Sequence, residues 1–312
     1  MEQRRLGHSG LSVSRLGLGT LTWGTDTGET EAAALLAAFV DAGGTLVDTA
    51  GVYADGASER LLGRLLRGGV ARDDIVIATK AGITKGGRYD ASRRHLLGAL
   101  DESLARLGVD HVDLWQVHAH DPKTPLEETL SALDAAVASG RCRYVGVADY
   151  AGWQLAKAAT WQRAWPGRAP LLAAQTEYSL LRRDVERELV PAALDAGVGL
   201  LPWSPLGRGV LTGKYRTGIP ADSRAATPHL AEFVRPYLGD RCRQIVESVA
   251  TAGDGLGVSP LAVALSWVRD RPGVVAPIVG ARTAAQLDDI LRAEDVDLPQ
   301  EIRDALDDVS EP

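Results

Sequence analysis

The chain of 312 residues carries a formal net charge of −7 and has a pI near 5.4. An acidic chain without clustered lysine and arginine is not typical of proteins that bind nucleic acids or membrane surfaces, so a small molecule is the expected partner. Cys142 and Cys242 match neither a C-x-x-C motif nor a zinc-binding spacing, which predicts a reducing compartment and no metal site. No apolar run approaches the ~18 residues of a membrane span and no apolar signal core follows the first residues, so we expect a cytoplasmic protein.

Short apolar runs alternate with amphipathic stretches along the chain. Residues 4–14 hold two short runs separated by a glycine-containing tetrapeptide, which predicts a β-hairpin. Residues 16–21 predict a first strand, and residues 29–42 predict a helix with Thr27 or Thr30 as its N-cap. Further strands are predicted at 45–47, 75–79, 112–117, 144–147, 171–175, 199–202 and 274–279, and further helices at 58–66, 92–107, 125–139, 153–165, 185–196, 241–252, 260–268, 284–293 and 300–309.

This alternation amounts to about eight βα units, the number that closes a parallel barrel. An open doubly wound sheet is the alternative, because one sequence does not reveal strand order. We expect one domain over residues 1–312, an α/β fold in which a (β/α)8 TIM barrel has an N-terminal β-hairpin cap and C-terminal helices. Residues 207–240 form a long connection, and such loops in barrel enzymes usually lie over the active site, so they are a candidate lid.

Polar side chains stand where three of the predicted strands stop. Asp48 ends the second predicted barrel strand, with Tyr53 in the loop beyond it. Lys80 ends the third strand and His118 the fourth. A buried carboxylate costs several kcal/mol unless a cation or hydrogen-bond donors compensate it, so Asp48 needs a partner. Because the active site of such a barrel lies at the carboxyl ends of its strands, we expect these four side chains to converge.

The four groups suit the protonation of a carbonyl oxygen. The ordinary pKa of tyrosine is about 10, and an adjacent Lys80 ammonium is expected to lower the pKa of Tyr53 toward neutral pH. Asp48 would keep the lysine protonated, and His118 would orient the oxygen that receives the tyrosine proton. None of these groups supplies a nucleophile, so a hydride donor is the missing partner. A Schiff-base aldolase is disfavoured, because Asp48 would raise the lysine pKa that this chemistry needs lowered.

Several motifs in chain order resemble those of the aldo-keto reductase superfamily, and together they extend over nearly the whole chain. They are residues 5–20, 47–50 with Tyr53, 56–59, 79–80, 113–118 and 202–215. The resemblance implies a barrel that binds NADPH at its mouth and reduces an aldehyde or ketone to an alcohol. It also implies a catalytic tetrad made of Asp48, Tyr53, Lys80 and His118.

The same resemblance implies which residues bind the cofactor. Gln175 would hold the nicotinamide carboxamide, and Trp203 would flank the nicotinamide ring. Arg282, at a helix start, suits the adenosine 2′-phosphate, which favours NADP over NAD. The sequence has no G-x-G-x-x-G after a strand, so a Rossmann cradle is not expected. The full set of implied cofactor-binding residues is Thr20, Asp149, Gln175, Trp203, Ser204, Leu206, Gly207, Gly209, Lys214, Gly280, Arg282, Gln286 and Asp289.

One departure from the family pattern leaves the function open. The pair Ala148-Asp149 stands where the family usually has Ser-Asn, and an aspartate can accept from the carboxamide NH₂ but cannot donate to its oxygen. A cofactor-binding regulatory protein with little turnover, like the potassium-channel β-subunits, is therefore the alternative function. The substrate pocket is expected to be aromatic and partly polar and to suit a sugar, a polyketide-like ketone or a small aldehyde. Its expected residues are Trp23, Tyr53, His118 and His120.

Overall fold

A small hairpin precedes a barrel of parallel strands in the structure, a computed structural model that describes residues 1–311. The hairpin strands are β1 (Gln3–Arg5) and β2 (Ser12–Ser14), which pair in antiparallel register. The barrel strands are β3 (Gly17–Gly19), β4 (Leu46–Asp48), β5 (Val76–Ala81), β6 (Val112–Val117), β7 (Cys142–Ala148), β8 (Leu171–Glu177), β9 (Gly199–Trp203) and β10 (Ile278–Val279).

The eight strands close on themselves in sequential order, because β10 pairs in parallel with both β3 and β9. Closure confirms the predicted TIM barrel and rules out the open doubly wound sheet. Helices surround the barrel and end the chain: α1 (Glu29–Asp41), α2 (Ala57–Gly68), α3 (Arg93–Leu107), α4 (Leu126–Ala138), α5 (Gly152–Arg163), α6 (Leu189–Ala196), α7 (Pro228–Val234), α8 (Asp240–Leu256), α9 (Pro260–Arg269), α10 (Ala284–Arg292) and α11 (Gln300–Val309).

Two apolar layers hold the barrel together, and their alternation also positions the polar strand ends. On β4, Leu46 packs inside the barrel and Val47 packs outward against the helices, and on β6 Leu114 and Trp115 divide in the same way. Burying one such aliphatic side chain contributes about 1.5–3 kcal/mol. Since alternate residues of a strand share a face, Asp48 follows Leu46 on the interior side at the carboxyl end of the strand.

The hairpin closes the amino-terminal end of the barrel, as predicted. Leu6 and Val13 are fully buried and belong to the same apolar cluster as the interior strand residues. The turn residue Gly7 has a φ of +55°, and a Cβ there would lie 2.7 Å from the carbonyl oxygens of Leu172 and Gly197. Only glycine fits this approach, so the hairpin rests directly on the starts of β8 and β9.

The structure differs from the sequence prediction in the last strand and in the long connection. The apolar run 274–279 forms only the two-residue strand β10, because Pro277 has no N–H to give to a ladder. The connection over residues 207–240 contains the short helix α7, which the sequence analysis did not predict. Among residues 1–311, no helix taken alone is long and apolar enough to cross a membrane, and α8 with α9 passes that test only as a pair bent by 102°.

Candidate active site

A cleft of about 510 Å³ opens at the carboxyl ends of the barrel strands. Asp48, Tyr53 and His118 line one part of it, and the basic side chains of Lys214 and Arg282 line another. The cleft therefore joins the predicted catalytic residues to a positively charged region. Within residues 1–311, no group of three or more His, Cys, Asp or Glu side chains is arranged to hold a metal ion.

The structure brings the predicted tetrad together. The buried Lys80 ammonium donates to Asp48 Oδ2 at 2.6 Å, to the Thr49 carbonyl oxygen at 2.9 Å and to the Tyr53 hydroxyl oxygen at 3.3 Å. His118 packs edge-on against Tyr53, with ring centroids 6.1 Å apart. The convergence follows from register, because β4, β5 and β6 are neighbours and all four groups stand near the carboxyl ends of these strands or in the loop beyond.

The charges of the tetrad are fixed by burial and by these contacts. Burial by itself would lower the pKa of Lys80, but the attraction of Asp48 and Tyr53 raises it above its ordinary value. Burial raises the pKa of Tyr53, and this outweighs the lowering by the Lys80 ammonium. The expected lowering of the Tyr53 pKa toward neutral pH is therefore wrong for the cleft as it stands. The site holds a protonated lysine beside a neutral phenol, which is a proton donor.

His118 is a neutral imidazole in this environment. Burial, assisted by the Lys80 ammonium, lowers the pKa of His118 from 6.5 to about 3. Its Nδ1 atom is buried and makes no hydrogen bond among residues 1–311, while the ring itself lines the cleft. A neutral ring can orient a carbonyl oxygen by a hydrogen bond without adding a positive charge beside Lys80.

A second set of hydrogen bonds holds the tetrad in place. The Gln175 amide donates to Asp48 Oδ1 at 2.9 Å, so both carboxylate oxygens of Asp48 have a partner. The Thr20 hydroxyl donates to the Asp48 carbonyl oxygen at 3.1 Å and accepts from the Ser58 hydroxyl at 2.7 Å. Gln175 and Thr20, both predicted to contact a cofactor, thus also fix the position of Asp48.

Asp149 accepts a hydrogen bond from a tryptophan at the cleft wall. Trp203 Nε1 donates to Asp149 Oδ1 at 2.9 Å. Asp149 has a φ of +50°, a left-handed conformation that is uncommon for residues with a side chain and is concentrated at functional sites. One of the carboxylate oxygens expected to meet the nicotinamide carboxamide is therefore already used by the indole.

An arginine joins the long connection to the barrel. Arg208 donates two hydrogen bonds of 2.8 Å to the Glu177 carboxylate at the end of β8. Its guanidinium lies 3.8 Å from the ring centroid of Phe233 on α7 and 4.9 Å from that of Tyr237. Phe233 in turn stacks on Trp203, with an interplanar angle of 14°. The predicted lid is thus attached to the cleft wall by the Phe233–Trp203 stack and by the Arg208 guanidinium.

Three basic side chains form a cluster that we call the cation cluster, made of Lys214, Arg224 and Arg282. All three line the cleft, and within the described residues none of them forms an ion pair. Burial and the two neighbouring arginines lower the pKa of Lys214, and burial and Arg282 lower the pKa of Arg224. Cations that depress each other's pKa make a site that an anion would stabilise.

Most of the predicted cofactor-binding residues line the cleft. These are Thr20, Asp149, Gln175, Trp203, Ser204, Leu206, Gly209, Lys214, Gly280, Arg282, Gln286 and Asp289. Gly207 does not line the cleft. It faces Leu181, since a Cβ at this position would lie 2.6 Å from that side chain. Of the expected substrate residues, Trp23 is fully buried in the core between barrel and helices. His120 packs edge-on against Tyr150 at 5.4 Å and also lies outside the cleft wall.

Several cleft residues were missing from the predicted site, and those with charged or aromatic side chains are Arg208, Arg224 and Phe233. Arg208 lies inside the motif 202–215, and its backbone φ of +59° could not be inferred from residue type. Arg224 and Phe233 lie in the long connection, which has no hydrophobic period to show which side chains point inward. The only available signal was the density of arginine and aromatic residues in that connection.

Comparison with known proteins agrees with the fold. Residues 15–311 match the model of the Aldo/keto reductase family. The chain is 36% identical to the uncharacterized oxidoreductase YrpG of Bacillus subtilis (strain 168), over 99% of this chain and 96% of that protein.

Two further relatives bear different descriptions. One is a probable voltage-gated potassium channel subunit beta of Oryza sativa subsp. japonica, 37% identical over 95% of this chain and 92% of that protein. The other is the L-glyceraldehyde 3-phosphate reductase of Escherichia coli (strain K12), 36% identical over 94% of this chain and 87% of that protein.

Proposed function

Since this chain belongs to the aldo/keto reductase family of oxidoreductases, we propose that it reduces an aldehyde or a ketone to an alcohol with NADPH as the hydride donor and Tyr53 as the general acid. One observation carries the proposal. The Lys80 ammonium lies within hydrogen-bonding distance of both Asp48 and Tyr53, and Tyr53 faces the cleft.

The proton transfer follows from this geometry. Tyr53 donates its phenolic proton to the carbonyl oxygen as negative charge develops there. The phenolate that forms is stabilised by the Lys80 ammonium at 3.3 Å, and Asp48 at 2.6 Å keeps that lysine charged. His118, neutral and beside Tyr53, orients the oxygen. A bound nicotinamide dinucleotide would supply the hydride.

The cleft fits an NADP molecule through its donor and charge distribution. Gln175 leaves its carbonyl oxygen free for a carboxamide NH₂ after donating to Asp48. At the cation cluster, guanidinium groups suit a phosphate because they offer paired donors and a permanent charge. A 2′-phosphate would relieve the mutual repulsion of the clustered cations, and this supports NADPH over NADH.

The substrate is a small carbonyl compound whose reacting oxygen lies near Tyr53 and His118. A relative described as L-glyceraldehyde 3-phosphate reductase makes short phosphorylated aldehydes worth testing first. The alternative, a cofactor-binding regulatory protein, has support from the relative described as a potassium channel subunit. The complete tetrad favours the enzyme, because a protein without turnover has no use for a lysine placed to stabilise a phenolate.

The first experiment is a titration of tryptophan fluorescence with NADPH and, separately, with NADH. Trp203 lies in the cleft wall, so bound nicotinamide should quench its emission. We expect saturable quenching by NADPH that weakens about tenfold or more in Arg282→Ala, since charge-assisted hydrogen bonds are worth about 1.5–3 kcal/mol. The absence of quenching by either cofactor would refute the proposal.

The second experiment measures oxidation of NADPH with a panel of aldehydes, ketones and phosphorylated aldehydes. Tyr53→Phe is the matched control, because it keeps the ring and loses the acid. It should bind NADPH like the wild type and lose about 10²–10⁴-fold in kcat. Cofactor binding without oxidation across the whole panel would favour the regulatory alternative.

A further inference from the structure

Three carboxylates stand around the tetrad part of the cleft, and they differ in how their charge is balanced. Asp48 is paired with Lys80 at 2.6 Å, and Glu177 is paired with Arg208 at 2.8 Å. Asp149 lines the same cleft, and among residues 1–311 its side chain has an indole N–H as partner and forms no ion pair. An indole donates a hydrogen bond but carries no positive charge. Within the part of the chain that the structure describes, Asp149 therefore has no ion-pair partner of its own.

The Asp149 carboxylate is exposed to the open cleft. Partial desolvation by the cleft walls raises the pKa of Asp149 and nearby Glu177 adds to that rise, whereas the Trp203 hydrogen bond and the Lys80 ammonium oppose it. A cofactor bound in the cleft would displace the water that screens this charge, and an unscreened charge acts more strongly on its neighbours than one in bulk water. The hydrogen bond from Trp203, which itself stacks on Phe233, also holds the carboxylate in one orientation.

We propose that Asp149 makes the site prefer the oxidised, positively charged nicotinamide ring over the neutral reduced ring. The inference rests on the proposed function, because hydride transfer requires the ring to lie beside the tetrad. Asp149 lines the cleft together with Tyr53 and His118, so its negative charge attracts the cation formed when hydride leaves. The residue acts on the relative affinity of the two cofactor forms and does not itself transfer a proton.

The preference has a direct consequence for turnover. A carboxylate that stabilises NADP⁺ favours hydride departure within the complex, and it also slows release of the oxidised cofactor. A neutral side chain at this position would make hydride departure less favourable and release of the oxidised cofactor faster. Asp149→Asn is the suitable change, because asparagine tolerates a positive φ and its carbonyl oxygen can still accept from Trp203.

Isothermal titration calorimetry with NADP⁺ and with NADPH tests the proposal without any turnover. We expect Asp149→Asn to raise the Kd for NADP⁺ by about tenfold relative to that for NADPH, the change that about 1.4 kcal/mol of lost attraction would give. The matched control is Asp289→Asn, which removes the same charge from a residue of α10 that lines the same cleft. It should change both affinities alike and leave their ratio unchanged.

A second variant separates the charge from the hydrogen bond. Trp203→Phe removes the indole donor and keeps the carboxylate, so the preference for NADP⁺ should persist in it. An unchanged ratio of the two Kd values in Asp149→Asn would overturn the proposal while leaving the proposed function intact. Binding of neither cofactor form by the wild type would overturn both.

Discussion

Lys80 and Asp48 form an ion pair in the interior of the barrel mouth, with Nζ 2.6 Å from Oδ2 and side-chain exposures of 0% and 3%. Breaking a buried pair by removing one partner leaves an uncompensated charge and costs about 3–5 kcal/mol. The same pair sets the charge state of the group that faces Tyr53. Stability and catalysis therefore depend on one contact.

Asp48→Asn is expected to affect both properties. The free energy of unfolding should fall by about 3 kcal/mol, and kcat/KM should fall by about a hundredfold or more, because Lys80 loses the charge that keeps it protonated. Urea unfolding and steady-state kinetics measure the two effects. Asp55→Asn is the control, since Asp55 pairs with Lys85 on the surface, with side-chain exposures of 66% and 79%. Equal effects of the two substitutions would contradict the role given to the buried pair.

The neutral state of His118 predicts how stability depends on pH. The folded pKa is about 3, and the ordinary value is 6.5. Between these values the unfolded chain binds the extra proton, so the free energy of unfolding decreases as the pH falls below 6.5. His118→Gln should reduce this decrease, measured as the difference between urea unfolding at neutral and at mildly acidic pH. His229→Gln, on the exposed surface, should retain the wild-type slope, and an unreduced slope in His118→Gln would count against a buried neutral imidazole.

Arg224 is expected to bind the cofactor phosphate, although the sequence motifs do not include it. Arg224→Ala should weaken NADPH binding by about ten- to a hundredfold, consistent with the loss of a charge-assisted hydrogen bond, and should change NADH binding little. Calorimetric titration with both cofactors measures this. Arg216→Ala is a control in the same connection, because Arg216 pairs with Glu247 on the surface. A similar loss of affinity for NADPH and for NADH in Arg224→Ala would show that the residue does not bind the 2′-phosphate.

The contacts of Arg208 predict that it holds the long connection against the barrel. Arg208→Ala removes both hydrogen bonds to Glu177 and the contact with Phe233. Amide exchange in α7 should become faster and cofactor dissociation should accelerate, because the connection loses its attachment. Exchange measured by mass spectrometry and stopped-flow dissociation report the two rates. Arg235→Ala, a surface residue of the same region paired with Glu232, should leave both unchanged.

The barrel was predictable because its strands are buried on both faces and read as short apolar runs between amphipathic helices. Element ends were less predictable, since they depend on contacts that are distant in sequence. Thr27 and Thr30 are both expected N-caps of α1, but Gly28 occupies that position and the Thr27 hydroxyl pairs with Thr22. The single-domain organisation over residues 1–312 and the cytoplasmic location stay predictions.

The tetrad could be found in the sequence because each member lies near the carboxyl end of a strand or in the loop beyond it, where the barrel architecture places chemistry. The direction in which the pKa of Tyr53 shifts could not be predicted. It depends on whether burial, which raises this pKa, outweighs the Lys80 ammonium, which lowers it. The stack of Arg208, Phe233 and Trp203 was equally hidden, since it joins residues from different elements. The hydrogen bond of Asp149 could not be predicted either, because its indole partner lies 54 positions away in the chain.

The hairpin that closes one end of the barrel also determines how ligands move. With Leu6 and Val13 packed into the barrel interior, reactants have to use the opposite end. Under the proposed function, the dinucleotide and the carbonyl compound would enter through the same opening, which Phe233 of α7 lines. Under the same proposal, a substrate bound over the nicotinamide would block the exit of the larger molecule, so the cofactor would bind first and leave last.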